Sequence, residues 1–118
     1  DAGRPYLLHS CGNLRAILED LIEDVRIDGK HSYEDAILPV DQFKAQYGQR
    51  ITPLGGLDVD TICRGTGPEL RQYARRMIER CFAGDGWWAL GTGNSLTNYM
   101  PVENYLAVLE EGIAATAG

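Results

Sequence analysis

Four times in succession this chain runs through a short apolar segment and then an amphipathic helical stripe, and that alternation narrows its fold more than anything else in it. These segments lie at the front of residues 5–13 and over 25–29, 51–57 and 87–90. Behind the first come Leu14, Ile17, Leu18, Leu21 and Ile22 at helical spacing, with Asn13 as N-cap and Arg15, Glu19, Asp20 and Glu23 on the other side. Behind the second, Pro39 suits a helix start, Val40, Phe43 and Tyr47 form its inner stripe, and Gly48 stops it. The third is followed by a short turn through Ile62 and Cys63. A long helix then starts at Pro68 and carries Leu70, Tyr73, Ala74, Met77, Ile78, Cys81 and Phe82. The fourth leads through a polar loop to a helix opened by Pro101, with Val102, Tyr105, Leu106, Leu109 and Ile113 expected to face inward. Strict strand–helix alternation means a parallel sheet, open and doubly wound or curled into part of a barrel. The 118 residues contain no internal linker, so we expect one domain over 1–118. Since a strand begins almost at once, we also expect an upstream portion before Asp1.

In such sheets ligands gather beyond the carboxyl ends of the strands, and there the sequence places its reactive side chains. His9, Ser10 and Cys11 end the first strand; His31, with Glu34 and Asp35, follows the second; Asp58 and Asp60 follow the third; Thr92, Asn94 and Ser95 follow the fourth. The opposite ends, such as residues 48–50 and 84–86, are plain turns. His9 and Cys11, two apart in an extended segment, point to one face. They can share one metal ion, or serve as a hydrogen-bonded core imidazole and a small apolar thiol. Asp58 reads as a helix N-cap or a catalytic base, and Asn94 and Asn98 as substrate contacts or loop fasteners. Cys81, on the apolar stripe of its helix, is expected in the core.

Charge and cysteine content bound the partners. The net charge of −6 comes from interspersed acids and bases with no basic block, which argues against nucleic acid and an anionic membrane surface. No apolar run reaches membrane-span length, and no signal peptide is visible. Three cysteines without a dense framework fit a reducing cytoplasm.

As a set, residues 9–13 (His-Ser-Cys-Gly-Asn), 55–58 (Gly-Gly-Leu-Asp), 91–95 (Gly-Thr-Gly-Asn-Ser) and 100–104 (Met-Pro-Val-Glu-Asn) resemble the C-terminal part of the uroporphyrinogen decarboxylase superfamily. That superfamily includes the decarboxylases of haem biosynthesis and methyltransferases that pass a methyl group from a corrinoid to a thiol. The resemblance implies an α/β fold, the C-terminal half of a TIM (β/α)8 barrel, with four βα units and parallel strands. The methyltransferases hold zinc through a His-x-Cys pair, matched by His9 and Cys11, and a cysteine in the Gly-rich loop after the last strand, where Thr92 stands here. The decarboxylases carry a histidine in that loop, which Thr92 also replaces.

Zinc would hold a substrate thiol as thiolate for attack on a methyl group, which takes three protein ligands and one open position. His31 is the local candidate for the third ligand, with Glu34 or Cys63 behind it. The resulting expectation is a metal at His9, Cys11 and His31, catalytic roles for Asp58, Thr92 and Asn94, and substrate contacts from Ser10, Asn13 and Asn98. The implied activity is zinc-assisted methyl transfer from a corrinoid or methoxylated donor to a thiol, on a small-molecule substrate and with a corrinoid protein as a possible partner. Tetrapyrrole decarboxylation is the alternative, and a non-catalytic binding module is a third reading. A half-barrel would leave open sheet edges, so it should pair with the upstream half or with a second copy of itself.

Overall fold

A computed structural model describes residues 2–117; Asp1 and Gly118, the ends of the expected 1–118 domain, lie outside the described residues. Three strands form one parallel sheet in the order β1 (Leu7–His9), β2 (Gly29–His31), β3 (Thr52–Pro53). Register pairs Leu7 with Gly29, Leu8 with Lys30 and His9 with His31, and carries on from Gly29 to Thr52 and Lys30 to Pro53. The helices are α1 (Leu18–Asp20), α2 (Val40–Tyr47), α3 (Val59–Arg64), α4 (Gly67–Phe82) and α5 (Val102–Ala117). The molecule is thus α/β, with helices laid against a small parallel sheet, an arrangement compatible with part of a barrel.

The first helix and the strands expected over 25–29, 51–57 and 87–90 differ from the sequence reading, each for a local reason. The first helix is not a continuous run from Leu14. Asn13 Oδ1 accepts from Arg15 N–H at 3.1 Å, tightening a turn, and α1 then passes into a π-helical turn at Leu21–Val25. Arg26, at φ 63°, closes that turn in the left-handed region, and the Ile27 N–H reaches back to Leu21 O. The strand expected over 25–29 is displaced: Val25 belongs to this turn and β2 begins only at Gly29. The expected fourth strand appears as two isolated parallel bridges, Leu54 with Ala89 and Leu57 with Thr92. Gly55 (φ 72°) and Gly56 (φ 111°) leave extended geometry between them and interrupt the ladder.

The core lies between the sheet and the helices. Val40, Leu57, Ile62, Ala74 and Cys81 are fully enclosed, with Leu70, Phe43, Met77 and Trp88 around them. Alternation along the strands puts Leu8, Lys30 and Pro53 on the helix side, and leaves Leu7 (59 % exposed) on the other face. In β1 and β2 that open face therefore also carries His9 and His31. Helix α4 is anchored by Glu69, whose carboxylate accepts from the Thr66 N–H and Oγ–H. Helix α5 packs on α4, but not as its periodicity suggests. Its buried residues are Asn104, Ala107, Val108, Glu111 and Gly112, whereas Val102, Leu106, Leu109 and Ile113 are exposed. Phe82, the last residue of the α4 stripe, is also exposed and meets Trp88 edge-on.

Candidate functional site

The parallel register sets His9 and His31 side by side at the carboxyl ends of β1 and β2, their Nδ1 atoms 2.8 Å apart. Beyond them Gly12 turns the chain, leaving Cys11 exposed with its Sγ 3.7 Å from His9 Nε2. The loop after the bridge segment folds over this pair. Its place is fixed by the Gly93 N–H on Leu57 O and the Tyr33 N–H on Gly93 O, so the Thr92 carbonyl arrives 2.9 Å from His31 Nε2. Asn94 Oδ1 accepts from the Ser95 N–H, which turns its Nδ2 toward Cys11 Sγ at 3.4 Å. Ser32 Oγ donates to the same sulfur at 3.7 Å. The Cys11 sulfur thus faces an imidazole nitrogen and two hydrogen-bond donors.

Of the nine residues singled out from sequence, His9, Cys11, His31, Thr92 and Asn94 come together here. Thr92 participates through its backbone; its hydroxyl is spent on the Asn94 carbonyl at 2.7 Å. Ser10 contributes a main-chain bond to His31 O, and its hydroxyl lies 3.5 Å from Cys11 O. Asn13 serves the turn before α1 and Asn98 is exposed. Asp58 caps α3, accepting from Thr61 N–H and Oγ1–H, and its second oxygen holds the Asp35 N–H. Ser32 was not foreseen, although it directly follows a strand-end histidine as Ser10 follows His9. Lys30 was also missed. Its side chain is buried over the Tyr33 ring, its ammonium donates to Ser32 O at 2.5 Å, and burial pulls its pKa down to about 8 against the opposing effect of Cys11.

Could these residues hold a metal? In a tetrahedral zinc site with ordinary Zn–N and Zn–S lengths, the two donor atoms stand about 3.6 Å apart. His9 Nε2 and Cys11 Sγ, at 3.7 Å, match that separation. His31 presents its Nδ1 to the far side of the His9 ring, so it does not converge with them. Among the described residues no group of three His, Cys, Asp or Glu side chains is arranged around one point. Two ligand positions fit, and a third ligand is not supplied here.

Beside the cluster lies a cleft of about 750 Å³ between the loops after β2, β3 and the bridge segment, lined by Glu34, Asp35, Asp58, Asp60, Asn94 and Tyr99 among others. That is small-molecule size. Its wall is acidic, and burial together with the charges of Asp58 and Asp41 raises the Asp35 carboxyl to about 6. Asn94 belongs both to this wall and to the sulfur's surroundings, so it joins the cleft to Cys11.

No protein-family model matches the sequence, and no curated protein does. Among solved structures, a methyltransferase from Methanosarcina mazei shares the fold. The likeness has a TM-score of 0.65 at 22 % identity and covers 97 % of this chain. The chain spans 32 % of that protein's length. Among the described residues no helix is long and apolar enough to cross a membrane.

Proposed function

We propose that this chain forms half of a TIM-type (β/α)8 barrel in a methyltransferase of the uroporphyrinogen decarboxylase superfamily, one that moves a methyl group from a corrinoid or methoxylated donor to a thiol. The observation that carries the reading is the His9 Nε2–Cys11 Sγ separation of 3.7 Å at the strand ends, the bite of a soft divalent ion. The fold shared with a methyltransferase supports it. Zinc bound there would supply Lewis acidity that keeps a substrate thiol ionised at neutral pH. Cys11 and His9 would be its ligands from this chain. Asn94 and Ser32 hold the Cys11 sulfur by donating to it, and Asn94 also faces the cleft in which the small-molecule substrate is placed. The rest of the barrel covers the open face around Leu7 and the bare stripe of α5, so the enzyme works as a closed barrel, with a corrinoid protein as its partner and the cytoplasm as its compartment.

Cobalt(II) titration of the metal-depleted protein tests the metal. Cys11→Ser should remove the thiolate-to-metal absorption and weaken binding at least tenfold; equal spectra and affinity in the two proteins would exclude the site. Loss of methylcobalamin absorbance in the presence of a thiol then reads the reaction itself.

A further inference from the structure

The Thr92 carbonyl can only accept, so the His31 Nε2 that faces it at 2.9 Å carries the hydrogen. In a neutral imidazole the other nitrogen is then bare, and His31 Nδ1 is an acceptor. Opposite it, at 2.8 Å, lies His9 Nδ1, which must therefore donate. Neutral His9 is left with hydrogen on Nδ1 and a lone pair on Nε2, the atom 3.7 Å from Cys11 Sγ. We propose that His31 is a positioning residue: by relaying the orientation of the Thr92 carbonyl through two imidazoles, it fixes His9 in the tautomer whose Nε2 lone pair faces Cys11.

The cause runs from backbone to sulfur without a carboxylate. The rings stand with centroids 5.0 Å apart and planes at 39°, so the contact is an edge-on hydrogen bond rather than a stack. The Thr92 carbonyl is itself held, because Leu57 and Thr92 are bridge partners and Gly93 bonds both Leu57 and Tyr33. A histidine in contact with a thiol or a metal needs this second partner, since the ring nitrogen that is protonated decides whether the other can accept or ligate. The consequence for metal binding rests on the zinc reading above; the tautomer does not.

Long-range 15N–1H correlation spectra of the metal-free, histidine-labelled protein read both rings directly. The expected result is His9 protonated at Nδ1 and bare at Nε2, and His31 protonated at Nε2. In His31→Phe, His9 should shift to a mixture with hydrogen largely on Nε2. His31→Gln, which keeps an acceptor and a donor on one amide, should restore most of the original pattern. Cobalt(II) affinity should fall about 10–100-fold in His31→Phe and recover in His31→Gln. A wild-type His9 with hydrogen on Nε2, or an unchanged His9 in His31→Phe, overturns the proposal, and the first needs no variant that must fold. If the tautomers behave as stated while no protein binds cobalt, the positioning role stands and the zinc reading falls.

Discussion

Helices α4 and α5 are each sixteen residues long and lie against one another, yet α4 buries all of its apolar stripe except Phe82 whereas α5 leaves most of its own exposed. On α4, Leu70, Tyr73, Ala74, Met77, Ile78 and Cys81 all enter the core. On α5, Val102 is 67 % and Ile113 59 % exposed. The face that α5 does bury mixes the small or apolar Ala107, Val108 and Gly112 with the polar Asn104 and Glu111. Asn104 donates to Ile62 O and Gly65 O, ending α3 against it, and Glu111 accepts from Arg71 and Arg75 of α4. At Gly112 the absent side chain makes room for Leu90, whose Cδ2 would lie 2.1 Å from a Cβ there. Periodicity thus marks an apolar face without saying which neighbour covers it.

The widest gap between the two helices should appear on truncation. Leu70→Ala should cost roughly 3 kcal/mol of unfolding free energy, and Leu106→Ala under about 1 kcal/mol in the 118-residue chain. Urea unfolding of both variants measures this. If a second barrel half covers α5, Leu106→Ala in the complete protein rises to about 2 kcal/mol or more, and equal small costs in both settings would leave the stripe bare. Next in size is Cys81, whose thiol is raised to about 12 by burial. Cys81→Ala should lower stability by about 1 kcal/mol and leave cobalt affinity unchanged, whereas Cys11→Ser should do the reverse. Altered metal binding in Cys81→Ala would place that sulfur wrongly.

The smallest effect is local and depends on pH. The Arg75 guanidinium, and then Arg71, hold the Glu111 carboxyl below its ordinary 4.5. A depressed folded-state value means that the ion pair stabilises α5 above pH 4.5 and that this support is lost as pH falls through the folded value. Hydrogen exchange should therefore show α5 amides opening relatively faster than α4 amides in acid, a difference absent in Glu111→Gln. Equal acceleration of both helices would mean that α5 does not depend on this contact.

How much of this could be read from residues alone varies with the kind of signal. Asp58 as a cap, Cys81 in the core and the α2 stripe of Val40 and Phe43 rest on local chemistry, and the structure contains them. The strand over 25–29 failed because a π-helical turn takes Val25 and pairing with β1 begins only at Gly29. The last strand dissolved into bridges because two glycines at positive φ are invisible to a hydrophobic pattern. At the site, the two-residue spacing of His9 and Cys11 speaks for one face of an extended segment, and Cys11 Sγ lies 3.7 Å from His9 Nε2. The direction in which His31 faces depends on register with β1 and on a carbonyl 61 residues away, which no local pattern encodes.

Gly55 gives the contact between distant segments an evolutionary edge. A Cβ built there would stand 2.4 Å from the Thr92 carbonyl oxygen and 3.1 Å from the His31 ring, at a φ of 72° that side chains rarely adopt. One methyl group would therefore push on both ends of the same hydrogen bond. Even alanine is strained at this position, and a library randomised at residue 55 and selected for the histidine pair should return glycine.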